Sequence, residues 1–179
     1  MLSLTIPVKM DSNQIAHVLR TDTFSKTYFQ GVFPLDHLRD VHPTFPCAIV
    51  INTDPSHLPG THWVAIFISN TRKGDYFDSY GLPPSTWPDI QRFLNKHCIN
   101  YRYNDNMLQG LFSTVCGQYC IFFLLHKSRG LSMENIISWF SRKTAVNDER
   151  VYGFVEKHFP CLEHLVCDAT SQCCTKRCR

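Results

Sequence analysis

The chain has 179 residues, 44% of them hydrophobic and 18% charged, and carries a net charge of +3 with its histidines neutral. That is the length of about one domain; the composition excludes a disordered ground state, and the charge permits contact with nucleic acid without demanding it. The apolar run 121–125 stops at His126 and Lys127, and no run approaches the ~20 residues that cross a bilayer. No basic-then-apolar leader opens the chain, so a soluble, intracellular protein with no membrane partner is expected.

In chain order, Asp11 or Ser12 caps a first helix that runs to about position 20, with Ile15, Val18 and Leu19 on one face. Residues 34–39 read as a short helical turn. The unbroken apolar run 47–51 predicts a strand buried on both faces, and 63–68 predicts another after a loop holding Pro55, Pro59 and Gly60. A turn at 71–75 leads to 76–80, an antiparallel partner. Gly81, Pro83 and Pro84 end that strand, and Ser85 opens a helix with Pro88 in its first turn, ending near His97.

Alternation over 99–103 predicts a further strand with one wet face. The dense apolar stretch 116–127 predicts a buried helix closed by Gly130, and 132–143 and 148–158 predict two amphipathic helices. The fold class is α+β, a mostly antiparallel mixed sheet packed against a buried helix. One domain is expected over 1–160, followed by a Cys-rich basic tail over 161–179.

The nine cysteines are an odd number, and their placement is uneven. Cys47, Cys98, Cys116 and Cys120 are spread through the body, whereas Cys161, Cys167, Cys173, Cys174 and Cys178 crowd the tail. A secreted disulfide scaffold distributes its pairs over the whole chain, so the body reads as a reduced domain.

Three stretches carry chemistry: Gly60-Thr61-His62-Trp63, Tyr76-Phe77-Asp78-Ser79-Tyr80-Gly81, and Gln109-Gly110 followed by Cys116-Gly117. Each sets a catalytic residue type where a strand or helix begins or ends. Pairing of the two strands brings His62 beside Asp78, and the acid then fixes the imidazole tautomer and stabilises its charged form. Cys116 begins the buried helix, where unpaired N–H groups and the macrodipole favour a negative sulfur. Gly117 is expected to let substrate backbone approach, with the Cys116 N–H and the Gln109 side-chain amide as oxyanion donors. Cys120, one helical turn deeper, is expected to be a packing residue.

These stretches resemble the adenovirus protease (adenain-like) family, including relatives carried by Maverick/Polinton elements and adintoviruses, over roughly 13–130. The resemblance implies a papain-like-clan architecture and a cysteine endopeptidase that matures viral capsid and core precursors at small-residue, Gly-containing sites. It implies His62 as base, Asp78 as its orienter, Cys116 as nucleophile and Gln109 as oxyanion donor. Adenoviral members carry Glu where this chain has Asp78, and either carboxylate orients an imidazole.

Proteases of SUMO and other ubiquitin-like proteins resemble the chain too, but typically have Asp before the nucleophile, where Val115 stands here. An isopeptidase of that kind, or an inactive binding module, remains the alternative. The resemblance further implies a late protein of the virion and host nucleus, with viral DNA as a cofactor. It also implies an activating peptide from a capsid precursor, linked by a disulfide to Cys98; the alternative is that Cys98 packs under the sheet. Arg72, Lys73, Lys127, Arg129, Arg142, Lys143, Lys176, Arg177 and Arg179 read by default as solvated surface with no basic stripe, and the resemblance implies that some of them contact DNA phosphate. His158, Cys161, His164 and Cys167 recur every three residues but match no standard zinc-finger spacing, so no zinc is expected.

Overall fold

The computed structural model describes residues 9–160. A five-stranded sheet runs in the order β1 (Phe29–Pro34), β2 (Cys47–Asn52), β3 (Trp63–Ile68), β4 (Lys73–Phe77) and β5 (Asn100–Tyr103). The sheet is mixed, as expected: β2–β3 and β3–β4 are antiparallel, whereas the edge pairs β1–β2 and β4–β5 are parallel. The antiparallel β3–β4 pair is joined by a tight turn over 69–72, and the long crossover between β4 and β5 carries a helix, which is what a parallel pair requires.

Helix α1 (Ser12–Thr21) opens on a capping box, in which Asp11 accepts from the Gln14 N–H and the Gln14 side chain accepts from the Asp11 N–H. Helix α2 (Pro88–His97) starts later than expected. Residues Pro84–Thr86 make a separate 3-10 turn, and Pro88 begins the α-helix, where its missing N–H costs nothing. Helix α3 (Cys116–Ser128) is the buried helix, and Gly130 beyond it takes φ +87°, the left-handed conformation expected of a helix-closing glycine.

The single helix expected over 132–143 is instead a short one, α4 (Met133–Ile137). Helix-type bonds continue to Phe140, whose N–H donates to the Ile137 carbonyl at 3.0 Å, and the chain then turns to meet α5 (Thr144–His158). Asn147 accepts from the Ser141 N–H at 2.9 Å and donates to the Ser141 carbonyl at 2.8 Å, so the backbone at Ser141 is held by α5.

Strands β2, β3 and β4 bury both faces, and their residues alternate between two cores, whereas the edge strand β5 is mostly exposed. Ala48, Val50, Trp63, Ala65 and Phe77 face α1, α3 and α5, while Cys47, Ile49, Ile51, Val64, Ile66 and Tyr76 face α2 and a 3-10 turn at Leu35–Asp40. Phe77 stacks on Phe123 of α3 at 4.6 Å, which seats the buried helix across the sheet centre. At that seat the start of α3 comes to the start of β3 and the exit of β4.

Candidate active site

His62 immediately precedes β3, and Asp78 immediately follows β4. Carrying the Ala65–Phe77 register outward sets position 64 across from 78, so His62 and Asp78 are diagonal neighbours on one face. The sequence reading put Asp78 inside the strand. It lies just past the end because Asn104 takes its backbone: the Asp78 N–H donates to Asn104 Oδ1 at 3.0 Å, and Asn104 Nδ2 donates to the Asp78 carbonyl at 2.6 Å. The chain then turns, with the Gly81 N–H donating to the Asp78 carbonyl at 2.9 Å. Gly81 is required there: its φ is +73°, and a Cβ would lie 2.7 Å from the Asn106 carbonyl carbon.

Asp78 is fully buried, and its Oδ1 accepts from His62 Nε2 at 2.9 Å and from the Tyr80 N–H at 2.8 Å. Tyr80 and Trp87 flank the imidazole, with ring centroids 4.8 and 6.0 Å away. The other ring nitrogen, Nδ1, is buried with no hydrogen-bond partner among the described residues. Burial alone would push the His62 pKa down. The hydrogen bond to Asp78, the interaction with Cys116 and the charge of both outweigh it, and raise the pKa to about 9.

Cys116 is the first residue of α3 and is buried, its N–H outside the intrahelical ladder. Gly117 does not serve substrate approach as expected. A Cβ there would meet Met10 at 3.0 Å and Ile15 at 3.2 Å, so the glycine lets α1 and the segment before it close onto α3. Cys120 is buried in the core, and burial pushes its thiol well above the ordinary range, in keeping with a packing role.

Gln109 has no exposure to solvent. Its Oε1 accepts from the Ser79 hydroxyl at 2.6 Å, and its Nε2 donates to the Ser113 carbonyl at 2.8 Å. That leaves the second N–H of the amide for another acceptor. The Leu108 and Gln109 N–H groups both donate to the Ser79 carbonyl, at 2.9 and 3.0 Å, tying this segment to the residue after Asp78. His62, Asp78, Cys116 and Gln109 are therefore carried by adjoining elements at one end of the sheet. Trp63, behind His62, donates its indole N–H to the Met10 carbonyl at 3.2 Å and walls a groove of about 430 Å³ with Met10, Phe33 and Leu58.

Cys98 lies apart from this group. It is 9% exposed, its sulfur 2.6 Å from where a Cβ on Gly74 would stand, and burial raises its pKa to about 11. It belongs to the core on the α2 face, in keeping with the packing alternative for this cysteine. Several expected DNA-contacting cations are also engaged internally. Lys127 pairs with Asp75 at 2.6 Å, Arg129 with Asp22 at 2.5 Å, and Arg72 donates to the His97 and Lys96 carbonyls. Lys73, Arg142 and Lys143 are exposed. Lys176, Arg177, Arg179 and the cysteines and histidine of the His158–Cys167 series beyond position 160 lie outside the described residues; no metal-ligating cluster occurs among the described residues.

Sequence reading missed Ser79, Tyr80, Trp87 and Asn104 as supports of the site. Ser79 and Tyr80 adjoin Asp78, a signal that was available. Nothing in the local pattern marked Asn104 or Trp87.

Comparison with known proteins identifies viral proteases as homologues. The chain is 31% identical over 133 residues to a protein of Acanthamoeba polyphaga mimivirus that carries a thiol-protease name, covering 69% of this chain and 44% of that protein. It is 33% identical over 123 residues to a cysteine protease of African swine fever virus, covering 62% and 42%. In other isolates of that virus a protein 32% identical is named a SUMO-1 cysteine protease. The protease of porcine adenovirus A serotype 3 is 26% identical over 110 residues, 54% of each chain. The chain thus spans about half, or less, of the length of these relatives. No family model matches.

Among solved structures, the African swine fever virus protease superposes with a TM-score of 0.51 at 19% identity, over 80% of this chain and 67% of that one. The Chlamydia trachomatis effector Cdu1 bound to ubiquitin superposes with a TM-score of 0.59 at 13% identity, over 89% and 96%. The α+β fold is the fold of these structures.

Proposed function

We propose that this homologue of viral cysteine proteases is itself a cysteine endopeptidase with Cys116 as nucleophile. The observation that carries the reading is the 2.9 Å His62–Asp78 contact, which leaves His62 Nδ1 buried and unpartnered beside Cys116. His62 holds, as imidazolium, the proton given up by Cys116; the sulfur attacks the scissile carbonyl, and the oxyanion is held by the Cys116 N–H and the free N–H of Gln109. The imidazolium gives its proton to the leaving amine, a thioester remains, and His62 then deprotonates the water that hydrolyses it. Asp78 accepts from Nε2 throughout and so keeps Nδ1 toward the sulfur.

The substrate class is viral capsid and core precursor proteins cut at Gly-containing sites, within the virion and host nucleus. The viral origin of the homologues supports it. Viral DNA as an activator would act through Lys73, Arg142, Lys143 and the tail, and its effect would fall steeply with salt. A second reading, cleavage of ubiquitin-like proteins, is favoured by the SUMO-1 name of the African swine fever virus relatives.

One experiment tests both. The full chain is incubated with quenched Gly-Gly peptides, recombinant capsid precursors, and ubiquitin- and SUMO-derived electrophilic probes. Cleavage of peptides and precursors without probe labelling is the expected result. Labelling by a ubiquitin-like probe with no precursor cleavage would replace the endopeptidase by an isopeptidase, and inertness towards all would leave a binding module.

A further inference from the structure

Residues 110–113 form a tight turn in which the Ser113 N–H donates to the Gly110 carbonyl at 3.0 Å. Corner positions of such turns ordinarily go to Gly, Pro, Asn, Asp or Ser. Here they hold Leu111 and Phe112, which are 68% and 100% exposed. The turn is not loose. The Gly110 N–H donates to Asp148 Oδ2 at 3.2 Å, the Gln109 amide donates to the Ser113 carbonyl at 2.8 Å, and Asn147 donates to the Leu108 carbonyl at 3.0 Å. The Tyr119 hydroxyl lies 2.8 Å from the same Leu108 carbonyl and 2.9 Å from Asp148 Oδ1. Two large apolar side chains are thus held out into water on a rigid base, with Gln109 at one foot and Cys116 just beyond the other.

We propose that Leu111 and Phe112 form a docking point for the polypeptide substrate, receiving a large apolar side chain a few residues from the scissile bond. The inference rests on the endopeptidase reading and names a specificity element for it. The turn joins the two groups that meet the scissile carbonyl, so a chain laid across Cys116 runs along it. Exposed apolar groups placed this way gain by covering one another. A second copy of the protein is a poorer occupant, because two side chains fall far short of the ~800 Å² per partner that a stable interface buries.

The test measures binding separately from cleavage. Fluorescein-labelled peptides centred on Gly-Gly, with one Phe or one Ser walked along both flanks, are titrated against full-length Cys116→Ala and Cys116→Ala/Phe112→Ser. The proposal predicts one register in which the Phe peptide binds about tenfold tighter than its Ser counterpart, and loss of that preference with Phe112→Ser. A Phe preference that survives Phe112→Ser, or no preference in any register, overturns the docking point. A dimer in sedimentation that Phe112→Ser dissociates overturns it in favour of self-association. The same peptides given to the unmodified chain test the chemistry alone: Phe-dependent binding without hydrolysis would sink the endopeptidase and leave the docking site standing.

Discussion

His62 Nε2 lies 2.9 Å from Oδ1 of Asp78, a carboxylate with no exposure to solvent. With His62 itself nearly buried, this contact and the neighbouring Cys116 hold the imidazole pKa at about 9 in the folded chain, against 6.5 for an ordinary histidine. A raised folded value means that the folded state holds the proton more tightly. The contribution to stability, on the order of 3 kcal/mol, is therefore complete below about pH 6.5 and lost as pH rises through about 9. An NMR titration of the His62 ring is expected to give a midpoint near 9 that falls in Cys116→Ala and falls further in Asp78→Asn. A midpoint unmoved by Asp78→Asn would mean that the carboxylate does not hold the proton.

Gln109→Ala is expected to lower kcat by ~10²–10³ with KM little changed, since the amide gains most from charge that develops in the transition state. Ser79→Ala, which frees Oε1 and lets the amide rotate, is expected to lower kcat by less and by the same route. Stopped-flow or steady-state kinetics on a cleaved Gly-Gly peptide separates the two constants. A KM effect alone would remove Gln109 from the oxyanion site.

Asn104 exchanges two hydrogen bonds with the backbone of Asp78 and is 4% exposed. Asn104→Ala leaves the buried Asp78 N–H without a partner, at a cost of about 1–3 kcal/mol, while the Asp78 carbonyl keeps only the Gly81 N–H. Urea denaturation is expected to show a lower midpoint with an unchanged slope, and activity should drop with the displaced acid. A midpoint equal to that of the unmodified chain would show that the turn after β4 is held by other bonds.

The four body cysteines differ in their surroundings. Burial raises Cys47 to about 12, Cys98 to about 11, and Cys120 well above the ordinary range. Iodoacetamide at neutral pH is therefore expected to reach Cys116 first among them, as read by peptide mapping. Early labelling of Cys98 would reopen it as a site for disulfide exchange.

The residues that do chemistry were legible because each sits at the boundary of an apolar run: His62 before 63–68, Asp78 after Tyr76-Phe77, and Cys116 before 117–125. Buried strands and a buried helix write themselves as unbroken hydrophobic stretches, and their ends are where polar side chains can converge. Strand β1 escaped because FQGVFP shows neither alternation nor a continuous run. Its residues are mostly half-buried, and parallel pairing with β2 makes it a strand. The stretch 132–143 misled because its apolar residues do keep helical spacing, whereas the buried amide of Asn147, four residues past the end of that stretch, decides the backbone there. Asn104 was invisible for the same reason: a polar side chain that serves another segment's backbone has no period of its own.

The most direct test of the account is hydrolysis of a Gly-Gly peptide mixture by the full chain, by Cys116→Ala and by Cys120→Ala, compared at equal concentration near pH 7. The account predicts cleavage by the unmodified chain, none above background with Cys116→Ala, and cleavage retained with Cys120→Ala as far as that variant stays folded by circular dichroism. Cleavage by a folded Cys116→Ala at the rate of the unmodified chain would contradict it.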